Sequence, residues 1–403
     1  MKHSTHALII LTIALGTLPC ATQANRQAVA QEASGQQQEL LTTAFRIASK
    51  IPTQPHIKDR SRQQEEVVNA AIELGRTDLA LVLASKIENY RRGVAFSNIA
   101  FHMARSNKDA SKLRIERYLA IAEQEARNAE EGWRRDRINV NIGRTQALLG
   151  QSFLASQQEK DVVDSEKGKI AQVIAMTADE TNFDEQMKSL AQIAANESYD
   201  IKKNALYAYV ELFNRFYEDS ARRSQVEDKI RSTWKAIPAM DRILIIETMT
   251  DHAVAHADQA KALSLVDDCM SLIKSHRWPP RYAVRLLARI AQQRAEAGDS
   301  NQALIEAQYS LKNYELYRDK IIDIDRAATL LPLAEAYQSM NQLELARSIY
   351  GRAIDEATIN PNARPTAEDL SLICRSMALN AVQPDEALWA RIREIEQGLK
   401  APW

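Results

Sequence analysis

The strongest candidate for metal chemistry in the sequence is the pair His252 and His256. They are the only histidines four residues apart, and on a helix this spacing places both rings on one face, where they can bind zinc. Asp251, Asp258 and Glu247 lie close by in the sequence. The zinc metalloprotease pattern requires glutamate directly after the first histidine, and alanine occupies position 253. We therefore interpret both histidines as solvent-facing residues near a helix end and predict no metal site.

The acidic residues do not form a catalytic pair either. Several acids are adjacent in sequence, but neighbouring residues of a helix point about 100° apart and cannot present two carboxylates to one substrate. These pairs are Glu65 with Glu66, Glu130 with Glu131 and Asp267 with Asp268. A glycine-rich phosphate loop is also missing from the sequence, which has only 11 glycines. We predict no catalytic residue, no cofactor and no enzymatic activity.

The composition indicates which elements must position any binding residues. The 403 residues include 11 Gly and 11 Pro, whereas average usage predicts roughly 28 and 20. Sheet proteins need such residues at their many turns, and no segment alternates with the period of a strand. An all-α fold with short connections is therefore expected.

The N-terminal residues predict export. Lys2 precedes an apolar run from Ala7 to Leu18, which the small-residue stretch 21–24 follows. This is the pattern of a secretory signal peptide, and we place it at residues 1–24, before a flexible tail at residues 25–38. Pro19 makes Cys20 a poor lipidation site, so a periplasmic or secreted protein without a lipid anchor or an integral membrane segment is expected.

Two cysteines, Cys269 and Cys374, remain after the predicted cleavage. They are about two and a half repeat lengths apart, and stacked helix pairs advance by roughly 10 Å each. A disulfide requires Cα atoms within about 7 Å. The sequence therefore predicts two separate buried thiols.

A repeated spacing indicates how the helices are arranged. A turn residue is followed five positions later by alanine, which suits a position where two helices cross closely. The pattern occurs at Gly75 and Ala80, Gly150 and Ala155, Ala257 and Ala262, Gly298 and Ala303, and Asn341 and Ala346.

The last of these units resembles the tetratricopeptide repeat. Its first helix has the large, large, small and aromatic residues of that family, and its second helix matches as well, at Leu330, Leu333, Ala334, Tyr337, Ala346, Tyr350 and Ala353. The resemblance implies a right-handed α-solenoid of about eight antiparallel helix pairs over residues 39–400. The repeats are longer than the family's 34 residues or so, since Ala303 and Ala346 are 43 apart. The register cannot be assigned for residues 165–240.

The resemblance also implies a binding surface on the concave side, formed by the first helix of each pair. The family's ligand-facing positions carry over to Arg62, Glu65, Asn69, Arg137, Arg144, Glu247, Asp251, Arg285, Gln292, Glu296, Glu335 and Gln338. These residues mix both signs of charge, as does the whole chain, with 52 basic and 53 acidic residues. A nucleic-acid partner is therefore not expected. The sequence predicts an exported, non-catalytic scaffold that binds a protein or peptide.

An exported all-helical toroid that binds or cleaves glycans is the alternative. The sites of such proteins resemble deep clefts lined with aromatic residues, and aromatics make up only 6% of this chain. The sequence does not identify the partner or the oligomeric state.

Overall fold

The protein is described by a computed structural model that covers residues 21–107, 111–160, 162–163, 166 and 168–403. These residues form nineteen α-helices and two short 3₁₀ turns, Trp234–Ala236 and Arg318–Lys320, and the described part of the chain contains no strand. The prediction of an all-α fold is confirmed. Within these residues no helix is both long and apolar enough to cross a membrane.

The even-numbered helices pack on one another in series, and all but the last of them line the two spaces described below, so we call them the inner helices. They are α2 (Thr53–Glu73), α4 (Arg91–Asn107), α6 (Gly132–Leu148), α8 (Lys169–Met176), α10 (Tyr199–Arg215), α12 (Ala239–Ala255), α14 (Pro280–Glu296), α16 (Asp323–Ser339) and α18 (Ala363–Leu379). Each packs against the next even-numbered helix along the chain.

The odd-numbered helices form an outer layer, and most of them pack against the inner helix that precedes them. They are α1 (Ala21–Lys50), α3 (Thr77–Ala84), α5 (Lys112–Asn128), α7 (Ser152–Lys160), α9 (Phe183–Ala194), α11 (Ser220–Thr233), α13 (Gln259–Lys274), α15 (Ser300–Tyr317), α17 (Leu343–Ala357) and α19 (Glu386–Gly398). Neighbouring helix pairs are thus the building unit, while the handedness and repeat number of a solenoid stay predictions.

The turn residues of the repeated spacing have the backbone conformation that ends a helix. Gly75, Gly150, Ala257, Gly298 and Asn341 all have a positive φ, between 56° and 93°. A left-handed residue after the last helical turn lets the chain reverse direction. The five paired alanines are at most 1% exposed. Both halves of the pattern therefore have the structural role that the spacing indicated.

Helix crossings are close where the sequence places small residues. At Gly143 of α6, an added Cβ would lie 2.6 Å from Ile170 Cδ1 and 3.1 Å from Gln158 Cβ. Pro332 lies inside α16, where it removes one backbone hydrogen bond. Nine helical residues precede Pro332, so it belongs to the interior of the helix and not to its first turn.

The inner helices form a closed circuit, because α18 packs against α2 as well as against α16. The first helix covers this junction: α1 packs on α18, and Ser371 Oγ donates to the Ala44 carbonyl at 3.1 Å. Arg46 Nη2 donates to Glu396 Oε2 of α19 at 2.7 Å. One apolar core runs across this seam and contains residues of α1 to α6 and of α14 to α19. The described helices therefore make a closed ring, which the sequence did not predict.

Two further predictions concern the N-terminal residues and the two cysteines. The predicted signal peptide lies mostly outside the described residues. Residues 25–38 belong to α1, and the mobility expected of them stays a prediction. Cys269 and Cys374 are both free and buried, as predicted, and burial raises the pKa of the Cys374 thiol to about 12.

Candidate interior binding site

Two spaces open onto the inner helices. The larger, which we call the interior cavity, has a volume of about 590 Å³ and is lined by α2, α4, α6, α8, α10 and α12. The smaller, which we call the cleft, has a volume of about 320 Å³ and lies between α12, α14 and α16. Leu244 lines both spaces, so the two are neighbours.

The twelve residues predicted to face a ligand all lie on inner helices. Four of them line the interior cavity, namely Glu65, Asn69, Arg137 and Arg144. Three line the cleft, namely Glu247, Arg285 and Glu335. The other five lie on the same helices outside the linings of these two spaces, namely Arg62, Asp251, Gln292, Glu296 and Gln338.

On one side of the interior cavity, charged residues bind each other across helices. Glu65 of α2 is buried and pairs with Arg91 of α4 and with Arg137 of α6, whose Nη2 lies 3.0 Å from its Oε1. Arg137 also donates to the Tyr90 hydroxyl at 3.3 Å. A buried carboxylate needs such partners. Glu65 and Arg137 therefore hold three inner helices together as well as lining the cavity.

Arg144 is held by neutral groups instead of a carboxylate. Its Nη1 donates to Asn141 Oδ1 at 3.1 Å, and its guanidinium carbon lies 4.2 Å from the centroid of the Phe101 ring. Burial lowers the pKa of Arg144. Nearby, Asn98 Nδ2 donates to Asn69 Oδ1 at 3.1 Å. This part of the wall is polar but already well organised.

The opposite wall comes from α8, α10 and α12. Lys203 lies 3.7 Å from Asp200, and Tyr199 donates to Asp241 Oδ2 at 2.6 Å. The cavity is lined by equal numbers of acidic and basic residues, four of each. The acidic residues are Glu65, Glu66, Glu166 and Asp241, and the basic residues are Arg137, Arg144, Lys169 and Lys203. The interior cavity is therefore polar without an excess of either sign.

In the cleft, two of the four charged residues already have partners. Arg289 Nη2 donates to both carboxylate oxygens of Asp251, at 2.9 and 2.8 Å. Gln293 also donates to Asp251, at 2.7 Å. Glu335 accepts a hydrogen bond from Ser376 at 2.7 Å, and burial raises its pKa. These contacts join α12 to α14 and α16 to α18.

The other two charged residues of the cleft, Glu247 and Arg285, have no side-chain partner. Among the described residues, neither makes a side-chain hydrogen bond or an ion pair within 4.0 Å. They nevertheless interact electrostatically. Burial raises the pKa of Glu247 to about 7, and the nearby arginines Arg289 and Arg285 oppose that rise.

Three of the four remaining predicted residues have side-chain contacts outside the two spaces. Arg62 lies 3.5 Å from Glu368 across the seam. Gln292 donates to Glu296 at 2.9 Å, and burial raises the pKa of Glu296. Gln338 is half-buried on α16.

The histidine pair occupies a different environment from the one expected. Both ring nitrogens of His256 lie within hydrogen-bond distance of other side chains, Glu218 at 2.8 Å and Asn214 at 3.1 Å. Its ring also stacks on Tyr217 at 4.1 Å. His252 Nε2 is buried without a partner, so the expectation of two solvent-facing rings is wrong. In the part of the chain that the structure covers, no group of three or more His, Cys, Asp or Glu could hold a metal ion.

Sequence reasoning missed several residues that line the two spaces. Lys203, Tyr207 and Asp241 line the cavity, but they fall on or beside the stretch whose register could not be assigned. Tyr282 and Arg289 line the cleft. Arg289 follows Arg285 by four residues, so the periodicity of a helix could have identified it.

Comparison with known proteins adds no assignment. No protein-family model matches the chain, and a search of curated proteins found no match to it. The geometry of the interior cavity and the cleft therefore carries the functional argument alone.

Proposed function

We propose that this protein is an exported, non-catalytic scaffold that holds a polar segment of a protein or peptide partner inside its ring of helices. One observation carries the proposal: six inner helices converge on a single cavity lined by equal numbers of acidic and basic side chains. A charge-balanced wall suits a segment that itself bears both signs. It suits neither a nucleic acid nor a uniformly acidic ligand.

The contacts of the wall support binding without chemistry. Glu65 and Arg137 are fixed by ion pairs between helices, and Arg144 is held by a hydrogen bond to Asn141 of its own helix and by packing on Phe101 of α4. A preorganised wall loses little conformational entropy when a ligand binds. Recognition of the partner would then depend on Gln172 and on Lys203, whose 3.7 Å ion pair with Asp200 lies within a single helix.

Charge reversal inside and outside the ring tests the proposal. Lys203→Glu changes the cavity wall, whereas Lys229→Glu makes the same change at an exposed position of α11. Purified wild type and both variants would be used to capture binding proteins from cell-envelope extract, after thermal melts have shown that all three fold. We expect one specific protein to be retained by the wild type and by Lys229→Glu and to be lost with Lys203→Glu.

Two outcomes would contradict the proposal. If the wild type retains no protein, the scaffold function is wrong. If both variants retain the partner equally, the partner binds elsewhere than in the cavity. Arg144→Glu is a poorer probe, because the wild-type side chain packs on Phe101 and donates to Asn141, and its reversal would also affect folding.

Export belongs to the same proposal and has its own test. The chain should be recovered from the periplasm or the medium without residues 1–24, and N-terminal sequencing of that material would locate the cleavage site. An uncleaved chain in the cytoplasm would contradict both the predicted signal peptide and a role in the envelope.

The closed ring favours a glycan-binding or glycan-active toroid as the second candidate, because it encloses a cleft in which Glu247 and Glu335 both lie. Paired carboxyl groups are the usual catalysts of glycoside hydrolysis. Among the described residues one aromatic side chain lines each space, Tyr207 in the cavity and Tyr282 in the cleft. Release of reducing sugar from envelope glycans by the wild type, and its loss in Glu247→Gln, would favour this candidate over the scaffold.

A further inference from the structure

The cleft has an unusual arrangement of charge. Arg285 and Arg289 are one turn apart on α14, but only Arg289 has a carboxylate partner, Asp251. Arg285 is exposed on the wall of the cleft, and among the described residues no carboxylate lies within 4.0 Å of its guanidinium. It therefore remains available to bind a carboxylate, which the planar guanidinium group can hold through two hydrogen bonds.

Glu247 provides the complementary charge on the neighbouring helix. Its side chain lines the same cleft and accepts no hydrogen bond from any described residue. A half-buried carboxylate without a donor is costly to maintain, and an ammonium group of a ligand would satisfy it. Because Glu247 and Arg285 do not contact each other, a ligand with opposite charges at its two ends can bridge them.

The rest of the lining indicates which group the ligand carries beside its two charges. Met240, Leu244, Leu286 and Pro332 supply an apolar surface, and Tyr282 supplies an aromatic one. The volume of about 320 Å³ is near the lower end of the range for small-molecule pockets. A ligand of this site is therefore small and carries an apolar group.

From these features we infer that the cleft binds a small zwitterion with an apolar side chain, whose carboxylate pairs with Arg285 and whose ammonium group pairs with Glu247. A free α-amino acid and a short peptide with both termini free share this chemistry. The inference goes beyond the scaffold proposal and does not depend on it, because the scaffold's partner is placed in the interior cavity.

Calorimetric titration of the full chain with four compounds tests this inference. Leucine and the dipeptide Leu-Leu carry both charges, N-acetyl-leucine carries only the carboxylate, and leucinamide carries only the ammonium group. At about pH 7.5 an α-amino group is largely protonated and Glu247, whose pKa is about 7, is mostly ionised. We expect one of the two zwitterions to bind about tenfold or more tightly than either singly charged compound. Tighter binding of leucine would indicate a free amino acid as the ligand, and tighter binding of Leu-Leu would indicate a short peptide.

Variants assign the two charges. Arg285→Gln should weaken zwitterion binding by about tenfold or more, and Arg285→Lys should retain part of it because the positive charge remains. Glu247→Gln should weaken the zwitterion and leave N-acetyl-leucine unchanged. Arg127→Gln, on an exposed face of α5, is the matched control and should bind like the wild type.

Three results would overturn the inference. The first is no binding of either zwitterion to the folded wild type at millimolar concentration. The second is equal affinity for the zwitterions and the singly charged compounds. The third is unchanged zwitterion binding in folded Arg285→Gln. None of them bears on partner capture by the interior cavity, which Lys203→Glu tests separately.

Discussion

Gly93 lies at a close crossing of three helices that a single substitution can probe. It lies near the start of α4, and a Cβ added there would be 2.6 Å from Glu125 Cβ of α5 and 2.7 Å from Ile138 Cδ1 of α6. Cβ atoms are fixed to the backbone, so relief of the first contact requires a helix to move. Gly93→Ala should therefore lower the free energy of unfolding by about 1 to 3 kcal/mol.

The matched control for Gly93→Ala is Gly351→Ala. A Cβ at Gly351, inside α17, would meet only Leu388 Cδ1 at an ordinary 3.8 Å. Alanine is the better helix former, so this variant should gain about 0.5 to 1 kcal/mol. Urea unfolding of both variants measures the difference, and a destabilised Gly351→Ala or a stabilised Gly93→Ala would show that these crossings are not packed as described.

Asp369 makes the stability of the protein depend on pH. It is buried in α18, and burial, assisted by the nearby Glu368, Asp325 and Asp323, raises its pKa to about 8. Because the folded-state pKa exceeds the unfolded value, Asp369 contributes stability at low pH and loses that contribution as pH rises from about 4 to 8.

Asp369→Asn removes this ionisation. At about pH 9 the unfolding free energy of the variant should exceed that of the wild type by roughly 1 to 3 kcal/mol. This is a fraction of the value that the full pKa shift of Asp369 implies. At about pH 5 this advantage should be absent. Denaturant unfolding at both pH values measures the effect, and an identical difference between the two proteins at both would contradict ionisation of Asp369 as its cause.

At the scale of the elements, the turn between helices α12 and α13 carries avoidable strain. Ala257 has a φ of 56°, a conformation that costs a residue with a Cβ about 1 to 2 kcal/mol. Glycine occupies the equivalent turn after α2, α6 and α14. Ala257→Gly should raise the melting temperature, with a net gain of about 0.5 to 1 kcal/mol once the greater freedom of unfolded glycine is counted.

The same substitution inside the helix provides the control. Ala253 is fully buried in α12, so Ala253→Gly should lower the melting temperature through lost packing and lower helix propensity. Calorimetry should show that the transition temperatures of the two variants shift in opposite directions from that of the wild type. A lower transition temperature for Ala257→Gly would mean that the positive φ at this turn is not what limits its stability.

These turns also show how far the sequence predicts the elements. The spacing of a turn residue and an alanine reflects local backbone geometry and one close helix crossing, so it can be recognised in the sequence. It correctly located the turn and the buried alanine at Gly298 with Ala303 and at Asn341 with Ala346. Between Ala155 and Ala257 that signal fades. The core shared by α6, α7 and α8 is small, with Val140, Ala155 and Ile170 as its buried members, whereas α9 and α10 pack into a different apolar core. Cavity residues on α8 and α10 consequently went unidentified.

At the scale of the whole molecule, ring closure was not predictable from the repeat. Helix pairs specify contacts between neighbours, whereas closure depends on the small rotation accumulated over all of them. The contacts that close the ring join residues more than 300 positions apart, such as Arg46 with Glu396 and Ala44 with Ser371. Likewise, residues on the concave side could be predicted from the sequence of one helix at a time. The convergence of six inner helices on one cavity could not be predicted in that way.

The closed ring can be tested by placing a charge in its seam. Ala44 of α1 is fully buried next to Ser371 of α18, and burying an unpaired carboxylate costs several kcal/mol. The separation of α1 from α18 avoids that cost, so Ala44→Glu should open the ring. Thr42→Glu adds the same charge to an exposed position of α1 and should leave the ring closed.

Hydrogen exchange and small-angle scattering would distinguish opening from general unfolding. In Ala44→Glu we expect faster exchange in α1 and α18 and a larger radius of gyration. Exchange in α10 to α13 should be unchanged, because those helices belong to a second core that does not include the seam. Unchanged exchange in α1 and α18 would contradict the seam. Equal loss of protection in both cores would mean that closure and folding are inseparable, so that the ring forms only as a whole.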